Sequence, residues 1–454
     1  MAEAGGAAGG GGDTIFALAS GSGRAGVAVI RLSGPAVPEA LAALVGGVPE
    51  PRRAVLRRLR HPRTGEVLDR AVVLRFASPA SFTGEEVAEL HVHGGRAVIE
   101  AVGEALLACG KGIRPAEPGE FTRRAFLNGK MDLTAAEGIA DLVAAETEAQ
   151  RRQALAQAEG ALAATVAGWA ERLTRALALS EASIDFADDG VGDEAETEAL
   201  ALAQAVEGEM EAALAGARRA ERVREGFRVA IIGAPNAGKS SLLNRLAGRE
   251  AAIVSARAGT TRDVIEVRLD LGGQAVTLAD MAGLREAEDE IEAEGVRRAF
   301  AWAERADLVV AVFDGTAEAP DAATRVVVSA RPGGCIGVAS KSDLGVRLAE
   351  VDGVPLLPVS SVTGEGIERL AEALTAAIAG LAERGAGGAV LTRARHVSAV
   401  SSALAALRRL PVAALPEMRG EELRLALREL GRLTGRVDVE DVLEVVFRTF
   451  CVGK

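Results

Sequence analysis

One run restricts the architecture more than any other: Gly233-Ala-Pro-Asn-Ala-Gly-Lys239-Ser240, directly after the apolar stretch Phe227 to Ile232. A buried strand, a glycine-rich turn and a helix start, in that order, make a phosphate-binding loop of the GxxxxGK[ST] type. The glycines let backbone N–H groups turn inward onto phosphate oxygens, and the helix N-terminus adds its positive partial charge. In such a loop Asn236, Ala237, Gly238 and Ser241 line the phosphates, Lys239 reaches the β and γ phosphates, and the Ser240 hydroxyl ligates Mg²⁺. The run therefore predicts an α/β sheet around it, and β/α alternation continues to about Ala379.

Downstream motifs point to guanine. Asp280-Met281-Ala282-Gly283 follows the strand-like run Ala275 to Ala279, which suits a carboxylate beside Mg²⁺ and a glycine N–H at the γ-phosphate. Ser340-Lys341-Ser342-Asp343 follows the run Ile336 to Ala339 and resembles NKxD, with Ser340 in the usual place of Asn. An Asp at that point accepts both guanine N1–H and N2–H₂, which adenine does not match. Ser360-Ser361-Val362 stands where GTPases place the loop behind the base. Between these, Gly259-Thr260-Thr261-Arg262-Asp263 offers Thr261 to close onto Mg²⁺ as a switch loop does, or is a polar turn. Leu284 follows Gly283 where Ras-like enzymes carry a water-orienting Gln, so catalysis must be arranged differently.

At 454 residues the chain is too long for one core. From Asp13 to about Asn128, β-like runs (Val27 to Leu32, Ala71 to Phe76, Val87 to Val92) alternate with helical stretches such as Ala97 to Ala108. No proline occurs between Pro118 and Pro235, and helical spacing runs from about Glu146 to Glu181 and from about Glu194 to Glu225, around a turn-rich break near Asp185. After Gly385 the helical pattern returns. The expected fold is multidomain: an N-terminal α/β domain over 1–128, a helical domain in two parts over 129–225 and 385–454, and a Ras-like α/β domain over 226–384 inserted between them.

Composition narrows the partners. The formal net charge is −12, so any polyanion must be held by a local basic patch. Cys109, Cys335 and Cys451 are widely spaced, which argues against a disulfide framework or zinc site and fits a reducing cytoplasm. The first dozen residues read as a flexible tail, not a signal peptide, and no stretch approaches the about 20 apolar residues of a membrane span.

With these residues in view the sequence resembles the MnmE (TrmE) family of bacterial tRNA-modification GTPases from Asp13 to Lys454. Carrying the resemblance, besides the nucleotide motifs, are Asp13-Thr-Ile15, Gly26 to Gly34 (GVAVIRLSG), Ser81 to Glu86 (SFTGEE), His93-Gly-Gly95, the stretch RPAEPGEFTRRAFLNGKMD from Arg114 to Asp132, and the ending Phe450-Cys451-Val-Gly-Lys454. The resemblance implies an N-terminal domain that dimerises and binds a tetrahydrofolate one-carbon donor, 5,10-methylene or 5-formyl, at Arg31, Glu89, Lys130 and Lys454. Taken alone, Arg31 and Glu89 read first as surface charges near strands, as isolated charges usually are. It implies K⁺-stimulated hydrolysis between paired G domains, with Asn236, Ser255, Arg257 and Thr260 around K⁺. Ala256, Ala258 and Gly259 complete that loop. It also gives Glu292 the role of positioning the water, with Lys239 and Thr261 the other catalytic groups. Without the family Glu292 is one carboxylate on a solvated acidic helix, Arg285 to Glu294. Cys451 is either a catalytic thiol or a small buried residue.

The implied function is GTP hydrolysis coupled to addition of a carboxymethylaminomethyl or aminomethyl group at C5 of the wobble uridine of certain tRNAs. An FAD-dependent MnmG (GidA)-type protein would be the partner, in a heterotetramer or larger assembly, with no membrane involved. The alternative is a regulatory GTPase acting in ribosome assembly or RNA binding. An ATPase is the third reading.

Overall fold

The computed structural model describes residues 12–21, 23–185, 192–249, 265–280, 303–383, 390–413, 415–437, 443, 446–448, 450, 452 and 453. The chain forms two compact units, Met1–Ala140 with Gly431–Lys454, and Asp141–Leu430.

In the first unit six strands form one sheet: β1 (Thr14–Leu18), β2 (Ala25–Ser33), β3 (Val55–Arg60), β4 (Val67–Phe76), β5 (Val87–Gly94) and β6 (Ile113–Pro115), in the order β3-β4-β5-β2-β1-β6. Strand alternation sorts the side chains: Ala88, Leu90 and Val92 of β5 are buried, while Glu89, His91 and His93 point the other way. Helices α1 (Val37–Val45) and α2 (Arg96–Ala108) cover the apolar face, packing Leu41, Leu44, Val102 and Leu106 with Leu32, Val73 and Leu90. Helix α3 (Glu120–Leu127) follows β6, and α4 (Leu133–Ala144) follows α3.

The chain end returns to this unit. Phe447 and Phe450 pack with Leu133 and Ala136, and the Phe447 ring lies 6.3 Å from Phe126 and 5.6 Å from Phe450. Val452 forms a β-bridge with Pro118. Gly453, at φ +99°, lies so close to β1 that a Cβ there would sit 2.3 Å from the Leu18 carbonyl oxygen.

The second unit combines helices α5 (Glu148–Ala158), α6 (Ala161–Asp185) and α7 (Gly192–Glu225) with a sheet. The sequence predicts one helix from about Glu146 to Glu181. The structure breaks it at Gly160, whose φ of +88° ends α5 in a left-handed turn. Helix α7 passes through Gly226 into β7 (Phe227–Gly233), an interior strand of a doubly wound sheet. Its other strands are β8 (Ile265–Leu271), β9 (Gln274–Asp280), β10 (Leu308–Asp314), β11 (Cys335–Ser340), β12 (Glu350–Val351) and β13 (Val354–Pro358), in the order β12-β13-β11-β10-β7-β9-β8. Strands β9, β10, β11 and β13 run parallel within the β7 ladder, and only β8 and β12 pair antiparallel.

Helices α8 (Lys239–Arg249) and α10 (Ile367–Glu383) cover one face through Leu242, Leu246, Leu370 and Leu374. Helix α9 (Ala322–Ala330) covers the other through Val327 and Val328. The chain then continues into α11 (Ala394–Leu407) and α12 (Pro416–Thr434). Where it leaves α7 and where it returns are stitched together: the Arg224 Nε–H donates to the Thr392 carbonyl at 2.9 Å. The Thr392 hydroxyl donates to Gln157 Oε1 at 2.9 Å, and Gln150 Nε2 donates to the Arg224 carbonyl at 3.0 Å. No described helix is long and apolar enough to cross a membrane.

Candidate nucleotide-binding site

The carboxyl ends of β7, β9, β10, β11 and β13 meet along one edge of the sheet, where open α/β folds place their ligands. Pro235 to Gly238 turn between β7 and α8 with Asn236 at φ +60° and Gly238 at φ +90°. Gly233 is held against β10, where a Cβ would lie 2.3 Å from the Val312 carbonyl oxygen. Lys239 is buried, and its Nζ donates to the Gly233 carbonyl at 2.8 Å and the Ala234 carbonyl at 2.7 Å. The ammonium is thus folded across the loop whose backbone it must share with phosphate. Ser240 and Ser241 follow in the first turn of α8.

The candidate base side lies two strands further on, after β11. Lys341 takes φ +57° after β11, and a 3-10 turn over Ser342–Leu344 carries Asp343. The fully buried Ser360 donates its hydroxyl to Asp343 Oδ1 at 2.6 Å, and Ser360 Oγ accepts from the Thr363 N–H at 3.1 Å. Ser361 is half-buried and Val362 is exposed beside it. Lys341 Nζ donates to Asp314 Oδ2 at 2.7 Å, and this ammonium holds the Asp314 carboxyl below the usual carboxylate range. Ser340 Oγ donates to the Phe313 carbonyl at 3.0 Å, so its hydroxyl serves the neighbouring strand. Gly238 faces it closely enough that an added Cβ would lie 3.7 Å from Ser340 Cβ.

Sequence reasoning missed Asp314. Its signal was present: an Asp-Gly pair closing the apolar run Leu308 to Phe313, at the same sheet edge as Gly233 and Ser340. Asp280 ends β9 as the motif requires, though its side chain lies outside the described residues. Also outside them are Ser255, Ala256, Arg257, Ala258, Gly259, Thr260, Thr261, Met281, Ala282, Gly283, Leu284, Glu292, Cys451 and Lys454.

A second cluster stands on the first unit. Arg31 of β2 and Glu89 of β5 are register partners, with Nη2 to Oε1 at 3.0 Å and Nε to Oε1 at 3.2 Å. The Arg31 guanidinium lies 5.6 Å from the Phe82 ring centroid and 5.9 Å from Phe121. Lys130 Nζ donates to the Pro79 carbonyl at 3.0 Å, and its stem would meet a Cβ on Gly84 at 3.3 Å. The segment from Pro79 to Gly84 therefore touches both Arg31 and Lys130. Buried Arg124 anchors that segment, reaching Glu85 at 3.2 Å, Asp13 at 2.8 Å and Glu120 at 3.0 Å. Among the described residues, Cys109 and Cys335 are free thiols, and burial pushes both up.

A doubly wound sheet with a phosphate loop after the interior strand β7, and a Lys-Asp turn after β11, two strands away, defines a P-loop nucleotide-binding protein of the GTPase type. The flanking regions narrow the class: residues 14–130 match the family described as GTP-binding protein TrmE N-terminus, and residues 133–451 match the MnmE helical domain. The chain belongs to the MnmE (TrmE) family. A tRNA modification GTPase MnmE from Paramagnetospirillum magneticum is 55% identical over 97% of this chain and 100% of its own length. Those of Rhodospirillum rubrum and Parvibaculum lavamentivorans are 53% and 54% identical over 97% of this chain, covering 99% and 100% of their own. Among solved structures, the G domain of the T. maritima FeoB iron transporter is 26% identical over 34% of this chain and 98% of its own, at a TM-score of 0.26. The family assignment rests on the sequence relatives.

Proposed function

We propose that this chain hydrolyses GTP in the service of tRNA modification, adding an aminomethyl-type group to C5 of the wobble uridine together with an FAD-dependent MnmG-type partner. The observation that carries it is the Ser360-held carboxylate of Asp343 on the same sheet edge as the Lys239 phosphate loop. An Asp so held accepts the two guanine N–H groups and leaves adenine mismatched. Lys239 exchanges a loop carbonyl for phosphate oxygens on binding. Ser240 and Thr261 would hold Mg²⁺, and Asn236, Ser255, Arg257 and Thr260 would hold K⁺. The left-handed turn at Asn236, which tips successive N–H groups into one concavity, suits a site crowded with phosphate. When bound, these ions neutralise charge developing on the phosphoryl oxygens. Glu292 would position the attacking water, the role that Gln plays elsewhere and Leu284 cannot.

The second cluster supplies the carbon donor's site. Arg31 and Lys130 are cations suited to a glutamate tail, Glu89 accepts from a pterin ring, and Lys454 joins them from a chain end that is built into this unit through Gly453 and Val452. Tetrahydrofolate, when bound, brings the one-carbon unit. The homodimer contact also belongs to this first unit. We place the domains at 1–128, 129–225 with 385–454, and 226–384, in a cytoplasmic protein. Nucleoside analysis of tRNA from cells lacking the protein tests the proposal: loss of the wobble modification is expected, and an unchanged profile sinks it.

A further inference from the structure

Strands β3 and β4 form the basic edge of an acidic protein. From Glu50 to Arg75 inclusive there are eight arginines and three carboxylates, in a chain whose net charge is −12. Arg57, Arg58, Arg60, Arg63 and Arg70 are all exposed, and among the described residues none of them pairs with a carboxylate. The side-chain bonds that Arg57 and Arg60 do make are to the carbonyls of Leu56 and Gly65, which leave their charge uncompensated.

Two features go beyond a solvated charged strand. Arg58 and Arg70 are direct cross-strand partners, an arrangement of like charges that destabilises a sheet. The acid best placed to neutralise them, Asp69, is turned away: its carboxylate accepts the His93 N–H at 2.8 Å and meets His93 Nδ1 at 2.7 Å. Charge on an edge strand alone guards against strand addition, which accounts for Arg57 or Arg60 on β3. It does not account for Arg70 on the inner strand β4, or for Arg63 in the turn.

We infer that the β3–β4 hairpin is a docking surface for the phosphate backbone of a structured RNA. The inference rests on the tRNA reading above only in choosing RNA as the polyanion. Residues alternating along one strand face lie about 7 Å apart, so successive guanidiniums meet successive phosphates. The hairpin holds no Phe, Trp or Tyr from Glu50 to Arg75, so it offers no platform for stacking bases and reads backbone and shape. The rest of the chain is acidic in sum, which disfavours a polyanion away from such a local patch.

Fluorescence anisotropy of a labelled unmodified tRNA, titrated with the full chain over about 50–300 mM KCl, tests this. Arg58→Gln/Arg70→Gln should weaken binding roughly tenfold and flatten the slope of log K against log salt by about 1.5 to 2, near one phosphate contact per arginine. Arg57→Gln/Arg60→Gln/Arg63→Gln should act in the same direction. The first variant should unfold at the same temperature as wild type or higher, because a like-charge pair has been removed, and GTP turnover without tRNA should be unchanged. An unaltered Kd and slope in both variants overturns the inference, as does a wild-type chain that does not bind tRNA. A shifted oligomeric state in the first variant assigns the hairpin to a second copy, and equal competition by polyglutamate assigns it to an acidic protein. Either outcome also overturns it. The nucleoside profile of cells carrying these variants or lacking the protein judges the modification reading separately.

Discussion

The hydroxyl of Ser360 donates to Oδ1 of Asp343 at 2.6 Å, joining the loop after β13 to the turn after β11. Two separate strand ends are thereby tied together at the base pocket proposed above. Ser360→Ala removes a hydrogen bond to a charged acceptor while leaving Asp343 solvated, so the loss is about 1 kcal/mol. Calorimetric titration with GDP should show a Kd roughly fivefold higher.

Asp343→Asn tests the base itself. The amide presents a donor where guanine N2–H₂ also donates, so competition assays should show GTP affinity falling at least tenfold, about 1.4 kcal/mol or more. Xanthine nucleotides, which carry an acceptor at that position, should bind the variant better than GTP.

Asp314 is the support of Lys341, and its effect has a pH signature. The Lys341 ammonium holds the folded carboxyl below the usual carboxylate range, so the contribution is complete above that range and is lost only as pH falls through the lower folded value. Nucleotide affinity of the wild type should be flat from about pH 8 to 5 as far as this pair is concerned. Asp314→Asn should weaken GDP binding several-fold at pH 7, and Asp314→Glu should recover part of it.

Gly233→Ala addresses the close approach of β7 to β10. An added Cβ 2.3 Å from the Val312 carbonyl oxygen forces the two central strands apart at the phosphate loop. Thermal unfolding should register a loss of about 1–3 kcal/mol, with nucleotide binding abolished before global unfolding.

In the first unit, Arg124 has three carboxylate partners and a side chain only 6% exposed. Arg124→Met takes the cation from half-buried Glu85, while Arg114 still pairs with Asp13 and Glu120, and should destabilise the unit by about 1–3 kcal/mol. Burial pushes Glu120 and Asp13 up, but hydrogen bonds from Arg114 and Arg124 outweigh it and both end lowered from 4.5 and 3.8. Their stabilisation is therefore full above those values and disappears below them. Circular dichroism should show acid unfolding of the wild type beginning below about pH 4, and at higher pH in the variant.

The parts of the fold that were legible in the sequence are those where a local pattern meets a local need. The β7 run and the loop from Gly233 to Ser240 could be read residue by residue, because apolar burial and glycine spacing are both properties of neighbours. So could β5 and α2. Strand β3 escaped notice because an edge strand needs little burial: Leu59 is its one fully buried residue, and VLRRLR shows no alternation. The break at Gly160 was hidden by otherwise continuous helix formers. The Lys341–Asp314 and Arg124–Asp13 contacts join residues 27 and 111 positions apart, which no local period encodes.

The stitch between Arg224 and Thr392 bears on how such a chain is assembled and remade. Two junctions that one arginine side chain can span leave the host helices almost no gap to bridge when the segment between them is taken out. A short connector from Glu225 to Val390 should close the helical scaffold around a vacancy. The same doorway would admit a foreign nucleotide-binding module whose own ends lie together. Modularity of that kind depends on where a chain departs and returns, independently of what the inserted machine does.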